Sequence, residues 1–198
     1  MIVHRYFYVL CSYLKENKFI LGSLGMLMPS VLGMSEIVKL LNSSPPIVEG
    51  YIDLAYQLQP AGFDLSLAEV RQFKSSGQID FDNTKRLISE TYPLKFSLED
   101  ESIKLNKGTY LIVFNEKINL PKNILALGFP RSTLLRCGVT INSAVWDPGY
   151  SGRGRSLMMV LNSNGVKLFK NARVMQLIFI KVEGDTGEGY KGVYKGEK

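Results

Sequence analysis

The sequence predicts an all-β domain, a barrel or a sandwich, preceded by one short helix. Three observations carry this. Short runs of strand-forming residues recur from residue 47 to residue 182. Turn signals separate them, in Asn106-Lys107-Gly108, Pro148-Gly149 and Asn162-Ser163-Asn164-Gly165. The chain has 198 residues, 45% hydrophobic and 21% charged, which suits one folded domain with a core, or one domain plus an extension.

Residues 1–33 are expected to be an N-terminal extension. They carry Tyr6, Phe7, Tyr8, Tyr13 and Phe19, then an apolar stretch over 19–34. That stretch is shorter than the roughly 20 apolar residues of a membrane span and contains Pro29. No membrane partner is therefore expected. Lys15 and Lys18 ahead of it allow a signal peptide, but Glu16 and its late position fit one poorly. The alternative is a start at Met26, Met28 or Met34.

Ser35 fits an N-cap, with Glu36 in the first turn and Ile37, Leu40 and Leu41 at helical spacing. Asn42-Ser43-Ser44-Pro45-Pro46 ends that helix. Strands are expected over 47–58, 95–98, 103–105, 109–114, 124–128, 139–145, 156–161, 166–168 and 174–182. The polar stretch 69–90 is expected to be a long loop. The β domain is placed at 34–184 and a C-terminal tail at 185–198.

Composition removes several chemistries. His4 is the one histidine, so Ser-His-Asp and Cys-His catalysis, HExxH zinc sites and zinc-dependent base deamination are excluded. Cys11 and Cys137 form no disulfide framework and no metal spacing, which fits a reducing cytoplasm. The net charge of +6 permits nucleic acid or a phosphorylated small molecule as partner. No row of aromatics interleaved with Lys or Arg marks a nucleic-acid surface, so a nucleic-acid partner is not expected.

Four local patterns follow in order. They are Gln59-Pro60-Ala61-Gly62-Phe63-Asp64-Leu65; the run from Gly128-Phe129-Pro130-Arg131-Ser132-Thr133 through Arg136 to Val139; Trp146-Asp147-Pro148-Gly149-Tyr150-Ser151-Gly152; and Ala172-Arg173-Val174-Met175-Gln176 running to Phe179. Singly, each reads as a strand end, a loop, a turn and a core amide. Physically, Arg131 offers a planar fork of donors suited to phosphate oxygens, with the Ser132 and Thr133 hydroxyls beside it. Asp147 stands at a corner where Pro148 fixes φ and Gly149 supplies a positive φ. A carboxylate there can take a proton from water without histidine.

Together, in this order and spacing, the four patterns resemble the trimeric dUTPase and dCTP deaminase superfamily, nearest to its archaeal branch. The resemblance covers residue 34 to the end and implies a distorted jelly-roll-like β-barrel. It implies a homotrimer with sites at subunit junctions, dUTP as the nucleotide and Mg2+ as cofactor. By the same resemblance Asp147 activates water for attack at the α-phosphate. Arg131, Ser132 and Thr133 cradle phosphates, and Gln176 lies near them. Tyr150 packs on the deoxyribose, with a core or trimer-contact tyrosine as the alternative. Arg136 contacts substrate or makes an ion pair at a subunit contact. Asp64 stands behind the metal or caps a strand end. Asn142, in the hairpin before Asp147, is the nearest side chain able both to donate to and to accept from a base. The tail Gly187-Glu188-Gly189-Tyr190 loosely resembles a mobile fifth motif, which assigns Tyr190 to substrate.

In the deaminases of this superfamily a Glu sits on the strand after the third motif. The matching residue here is Met159; two extra residues in Arg153-Gly154-Arg155 allow the match to slip to Met158 or Leu157, which are also apolar, and leave open a reshaped base pocket. A thioether cannot shuttle protons, so dUTP hydrolysis to dUMP and pyrophosphate is expected. The alternatives are a dCTP deaminase or bifunctional enzyme and, because the tail shows no Gly-rich phosphate clamp, an inactive nucleotide-binding barrel.

Overall fold

The computed structural model describes residues 30–197, so the extension expected at the N-terminus lies, up to residue 29, outside the described residues. Within them the fold is all-β, a distorted jelly-roll-like barrel with short helical turns on its outside.

The chain enters the barrel at Val31, which bridges Ile180, while the Leu32 N–H donates to Phe179 O at 2.8 Å. Helix α1 follows at Met34–Leu41 and buries Ile37. Its N-cap is Gly33 in extended conformation with no side-chain cap bond, so Ser35 lies inside the first turn, not at the cap expected for it. Glu36 pairs instead with Lys39 one turn on, at 2.7 Å.

The stretch expected to be a strand over 47–58 breaks into three pieces. Strand β1 is only Val48–Glu49. Asp53 then caps the short helix α2, Leu54–Gln57, by accepting from the Ala55 N–H. Strand β2, Leu58–Gln59, turns back into β3, Gly62–Phe73. The Asp53 cap and the buried Gln57 amide outweigh the strand propensity of the intervening residues.

Strand β3 organises the barrel. Its first half, Phe63–Ser66, pairs with β13, Arg173–Lys181; its second half, Leu67–Arg71, pairs with β6, Gly108–Phe114. Register shifts at Leu67/Glu69 and Arg173/Met175 bend the strands where the pairing changes over. Residues 62–67 are buried in unbroken succession, so both faces of β3 are covered even though Phe63-Asp64-Leu65-Ser66-Leu67 alternates apolar and polar side chains. The expected loop 69–90 is corrected accordingly, because β3 runs on to Phe73 and β4, Thr91–Pro93, pairs with it.

Three further long strands complete the sheet: β8, Ile124–Pro130; β9, Val139–Asn142; and β11, Arg155–Val160. The order is β8-β13-β3-β6-β11-β9, antiparallel throughout. A bridge between Ala126 and Trp146 links β8 to the segment after β9 and brings the two edges together. Strand β7, Lys117–Asn119, carries β1 on one side and β10, Ser151–Gly152, on the other. Strands β5, Ser102–Leu105, and β12, Val166–Phe169, form a separate pair, and the expected strand 95–98 is not one. The core is filled by Phe63, Leu65, Phe114, Met158, Met175 and Phe179, all fully buried, each stabilising the fold by about 1.5–3 kcal/mol. Among the described residues no helix is long and apolar enough to cross a membrane.

Candidate active site

The corner after β9 is built as its sequence suggests. Gly149 has φ +80°, and the Tyr150 N–H donates to Asp147 O at 3.0 Å, closing the reversal. Trp146 anchors the approach. It exchanges both backbone bonds with Ala126, at 3.0 and 2.9 Å, and its indole N–H donates to Ser143 Oγ at 2.8 Å. The Asp147 side chain is exposed, and its carboxylate accepts no hydrogen bond and joins no ion pair among the described residues. Tyr150 packs edge-on against Trp146, with centroids 5.3 Å apart, and against Tyr190 of the tail, at 5.6 Å. Burial, reinforced by the charge of Glu197, pushes the Tyr150 phenol up to about 12, so it stays neutral.

These residues border a cavity of about 300 Å³. Ser143, Ala144, Val145 and Trp146 form one wall, and Leu111 of β6 and Ile88 another. Gly154 is part of the wall, where a Cβ would fall 2.0 Å from the Trp146 ring. The tail closes the remaining side. The Tyr190 N–H donates to Pro148 O at 2.7 Å, the Gly196 N–H to Ser151 O at 2.7 Å, and Glu197 pairs with Arg155 Nε at 2.8 Å.

A second cavity, of about 470 Å³, lies at the β3–β13–β8 face and is lined by Asp64, Arg131, Ser132 and Gln176 among others. Register places Gln176 opposite Asp64 on one side and Phe129 on the other. Asp64 is only 1% exposed, and its Oδ2 meets Arg131 Nε at 3.0 Å and Arg173 Nη1 at 3.1 Å. Burial raises the Asp64 pKa above the ordinary carboxylate value, and the two guanidiniums oppose that rise. Behind it, Gln57 Nε2 donates to Asp64 O at 2.9 Å and to Glu116 Oε1 at 2.6 Å. Glu116 is fully buried and also accepts from the Ser66 N–H at 2.9 Å and hydroxyl at 2.6 Å.

The structure thus gathers Asp147, Tyr150 and Tyr190 at one cavity, and Asp64, Arg131, Ser132 and Gln176 at the other. No residue lines both. Thr133 and Arg136 lie exposed on the short helix α3, Ser132–Arg136, and line neither. Asn142 is exposed at the end of β9 opposite Leu157 and also lines neither. Met159 sits between Thr140 and Thr109 in the sheet, away from both cavities. Sequence reasoning assigned no role to Arg173, Glu116 or Glu197, and touched Arg155 only as part of the extra Arg153-Gly154-Arg155. Arg173 carried a signal too, a cation at the head of a mostly apolar strand. No group of three or more His, Cys, Asp or Glu able to hold a metal exists among the described residues.

A family model described as dCTP deaminase-like matches residues 31–182. A Methanosarcina acetivorans protein named as a probable deoxyuridine 5'-triphosphate nucleotidohydrolase is 44% identical over 168 residues, 85% of this chain and 98% of that protein. A Methanocaldococcus jannaschii deoxyuridine 5'-triphosphate nucleotidohydrolase is 39% identical over 140 residues, 71% of this chain and 88% of that protein. Among solved structures, a 2'-deoxycytidine 5'-triphosphate deaminase from Agrobacterium tumefaciens superposes with a TM-score of 0.58 at 20% identity. The match covers 77% of this chain and 48% of that one, and it supports the fold.

Proposed function

This chain belongs to the dCTP deaminase-like family, and from that premise we propose that it hydrolyses dUTP to dUMP and pyrophosphate. The observation that carries the reading is Asp147 itself. It is an uncommitted carboxylate on a rigid corner, at the rim of a cavity with an aromatic floor. A base must have a free lone pair to take a proton from water, and Asp147 has one, whereas Asp64 is held by two guanidiniums.

In this reading Tyr150 is the platform for the deoxyribose, and Ser143, Ala144 and Val145 meet the base through their backbone. Water held by Asp147 attacks the α-phosphate, and pyrophosphate leaves. Arg131, Ser132 and Gln176 bind the triphosphate and stabilise the charge that builds on it. Arg131 spends Nε on Asp64 and Nη1 on Arg173 O, which orients its fork. Mg2+ would be held mainly by triphosphate oxygens and water and would neutralise triphosphate charge, with Asp64 standing behind it by fixing Arg131. The two cavities share no residue within one chain, which a cyclic homotrimer accommodates by setting one cavity against the other of its neighbour. The exposed thiol of Cys137 suits a reducing cytoplasm.

The test is incubation of the protein with dUTP and with dCTP, each with Mg2+. Pyrophosphate and dUMP from dUTP, with dCTP unchanged, are expected. A uracil nucleotide formed from dCTP sinks the argument from Met159. Tight dUTP binding without pyrophosphate release makes the chain an inactive nucleotide-binding barrel.

A further inference from the structure

Arg155 opens β11 directly after Gly154, the residue whose missing side chain lets the Trp146 ring approach. That contact fixes the Arg155 backbone against the wall formed by Ser143, Ala144 and Val145. Among the described residues lining this cavity, Arg155 is the one cation. Its Nε is held at 2.8 Å by Glu197, whose own backbone O accepts from the Arg153 N–H at 2.8 Å. The Nη groups of Arg155 make no hydrogen bond among the described residues. The guanidinium is therefore oriented along one edge and open along the other.

The charge of the site decides what that open edge suits. Arg155 and Glu197 together are neutral, Asp147 at the rim adds a negative charge, and the walls near the pair are Trp146, Leu111 and Ile88. Such a site offers no surplus positive charge to an oxyanion. It offers directional N–H donors to a neutral acceptor in apolar surroundings. A pyrimidine with a carbonyl at C4 accepts from those donors. A pyrimidine with an amino group at C4 sets donor against donor, leaving both unpaired where water is scarce.

We propose that Arg155 reads the C4 carbonyl of the pyrimidine, and that Glu197 of the C-terminal tail is the positioning residue that holds the guanidinium for this reading. The inference rests on the dUTP reading above and adds the source of its base selectivity. It also gives the tail a task at the base, because loss of Glu197 frees Arg155 to turn away.

The test uses the full chain with Arg155→Met, Arg155→Lys and Glu197→Gln. Binding of dUMP and dCMP is measured by calorimetry, and kcat and KM are measured separately for dUTP with Mg2+. For Arg155→Met, dUMP binding and KM for dUTP are expected to weaken about tenfold or more, with kcat little changed and dCMP binding not weakened. Arg155→Lys keeps the charge but loses the fork and restores only part of the preference. Glu197→Gln shifts the preference in the same direction by less. An unchanged dUMP-to-dCMP preference in Arg155→Met, or equal weakening of both nucleotides, overturns the inference. If that occurs while dUTP is still hydrolysed, the proposed function stands alone. If the unaltered protein releases no pyrophosphate, the function falls, and the calorimetric preference still decides the role of Arg155.

Discussion

In the cavity at the corner, Asp147 is exposed and has no partner among the described residues; at the β3–β13–β8 face, Asp64 is 1% exposed and takes two guanidiniums on one oxygen. Both are carboxylates beside a turn or a strand end, and both bracket the pocket their motif builds. Their environments assign them opposite work. A buried carboxylate pinned by two guanidiniums holds them in place, while one facing water is free to meet a water molecule. The buried site stores its electrostatics in advance, with Glu116 and Gln57 fixing the strand behind Asp64. The corner instead holds one reactive group rigidly and leaves the rest open for a ligand.

The strongest way to break this comparison is at the corner. Asp147→Asn keeps the shape and removes the proton acceptor. Turnover of dUTP is expected to fall by about 10²–10⁴-fold, with nucleotide affinity within a few-fold and stability within about 0.5 kcal/mol. Pyrophosphate release and calorimetry with a non-hydrolysable analogue measure these. Near-normal turnover removes Asp147 as the base.

Asp64→Asn should do the reverse. It leaves the Arg131 and Arg173 guanidiniums facing each other with no counter-charge, in partly buried positions. A loss of about 3 kcal/mol in chemical denaturation is expected, together with weaker nucleotide binding through a loosened Arg131. A stability change as small as that of Asp147→Asn would mean the two carboxylates do not differ as their surroundings indicate.

How much of this was legible in the sequence follows the same division. The corner was readable because its chemistry is local: Pro148 and Gly149 dictate the turn, and Asp147 and Tyr150 ride on it. Strands of the outer sheet were readable for a similar reason, since β6, β8, β11 and β13 lie close to their expected bounds. Strand β3 was not, although Phe63-Asp64-Leu65-Ser66-Leu67 alternates, because its polar face, Asp64 and Ser66, is buried on partners distant in sequence instead of facing water. The Asp64 cluster was only half visible. Arg173 lies 109 residues from Asp64 and is brought beside it by strand register, and Glu116, between β6 and β7, reaches Ser66 across 50 residues, which no local pattern encodes. The same holds for Arg155 and Glu197, which meet only because the tail folds back over Ser151.

The gentlest test of the comparison is a pH titration of the buried side. Burial raises the Glu116 pKa above its ordinary 4.5, against the pull of the Ser66 and Gln57 donors. The folded protein therefore holds this proton more tightly than the unfolded chain does. Below the ordinary value both states are protonated, and Glu116 adds no pH dependence. As pH rises through the raised folded value, stability is lost, with a slope of at most about 1.4 kcal/mol per pH unit for one proton. Asp64 is shifted in the same direction, so the unaltered protein shows the sum of the two. Glu116→Gln removes one of them. Its amide nitrogen must face a donor, whichever way it turns, because Ser66 and Gln57 donate to both Glu116 oxygens. The variant is thus expected to be less stable by about 1–2 kcal/mol, yet with a shallower decline in stability as pH rises above the ordinary carboxylate range. Denaturation curves across that range decide it. An identical slope in the variant would show that Glu116 keeps its ordinary acidity, and that the buried network behind Asp64 is not set apart from the open corner by the cost of holding charge.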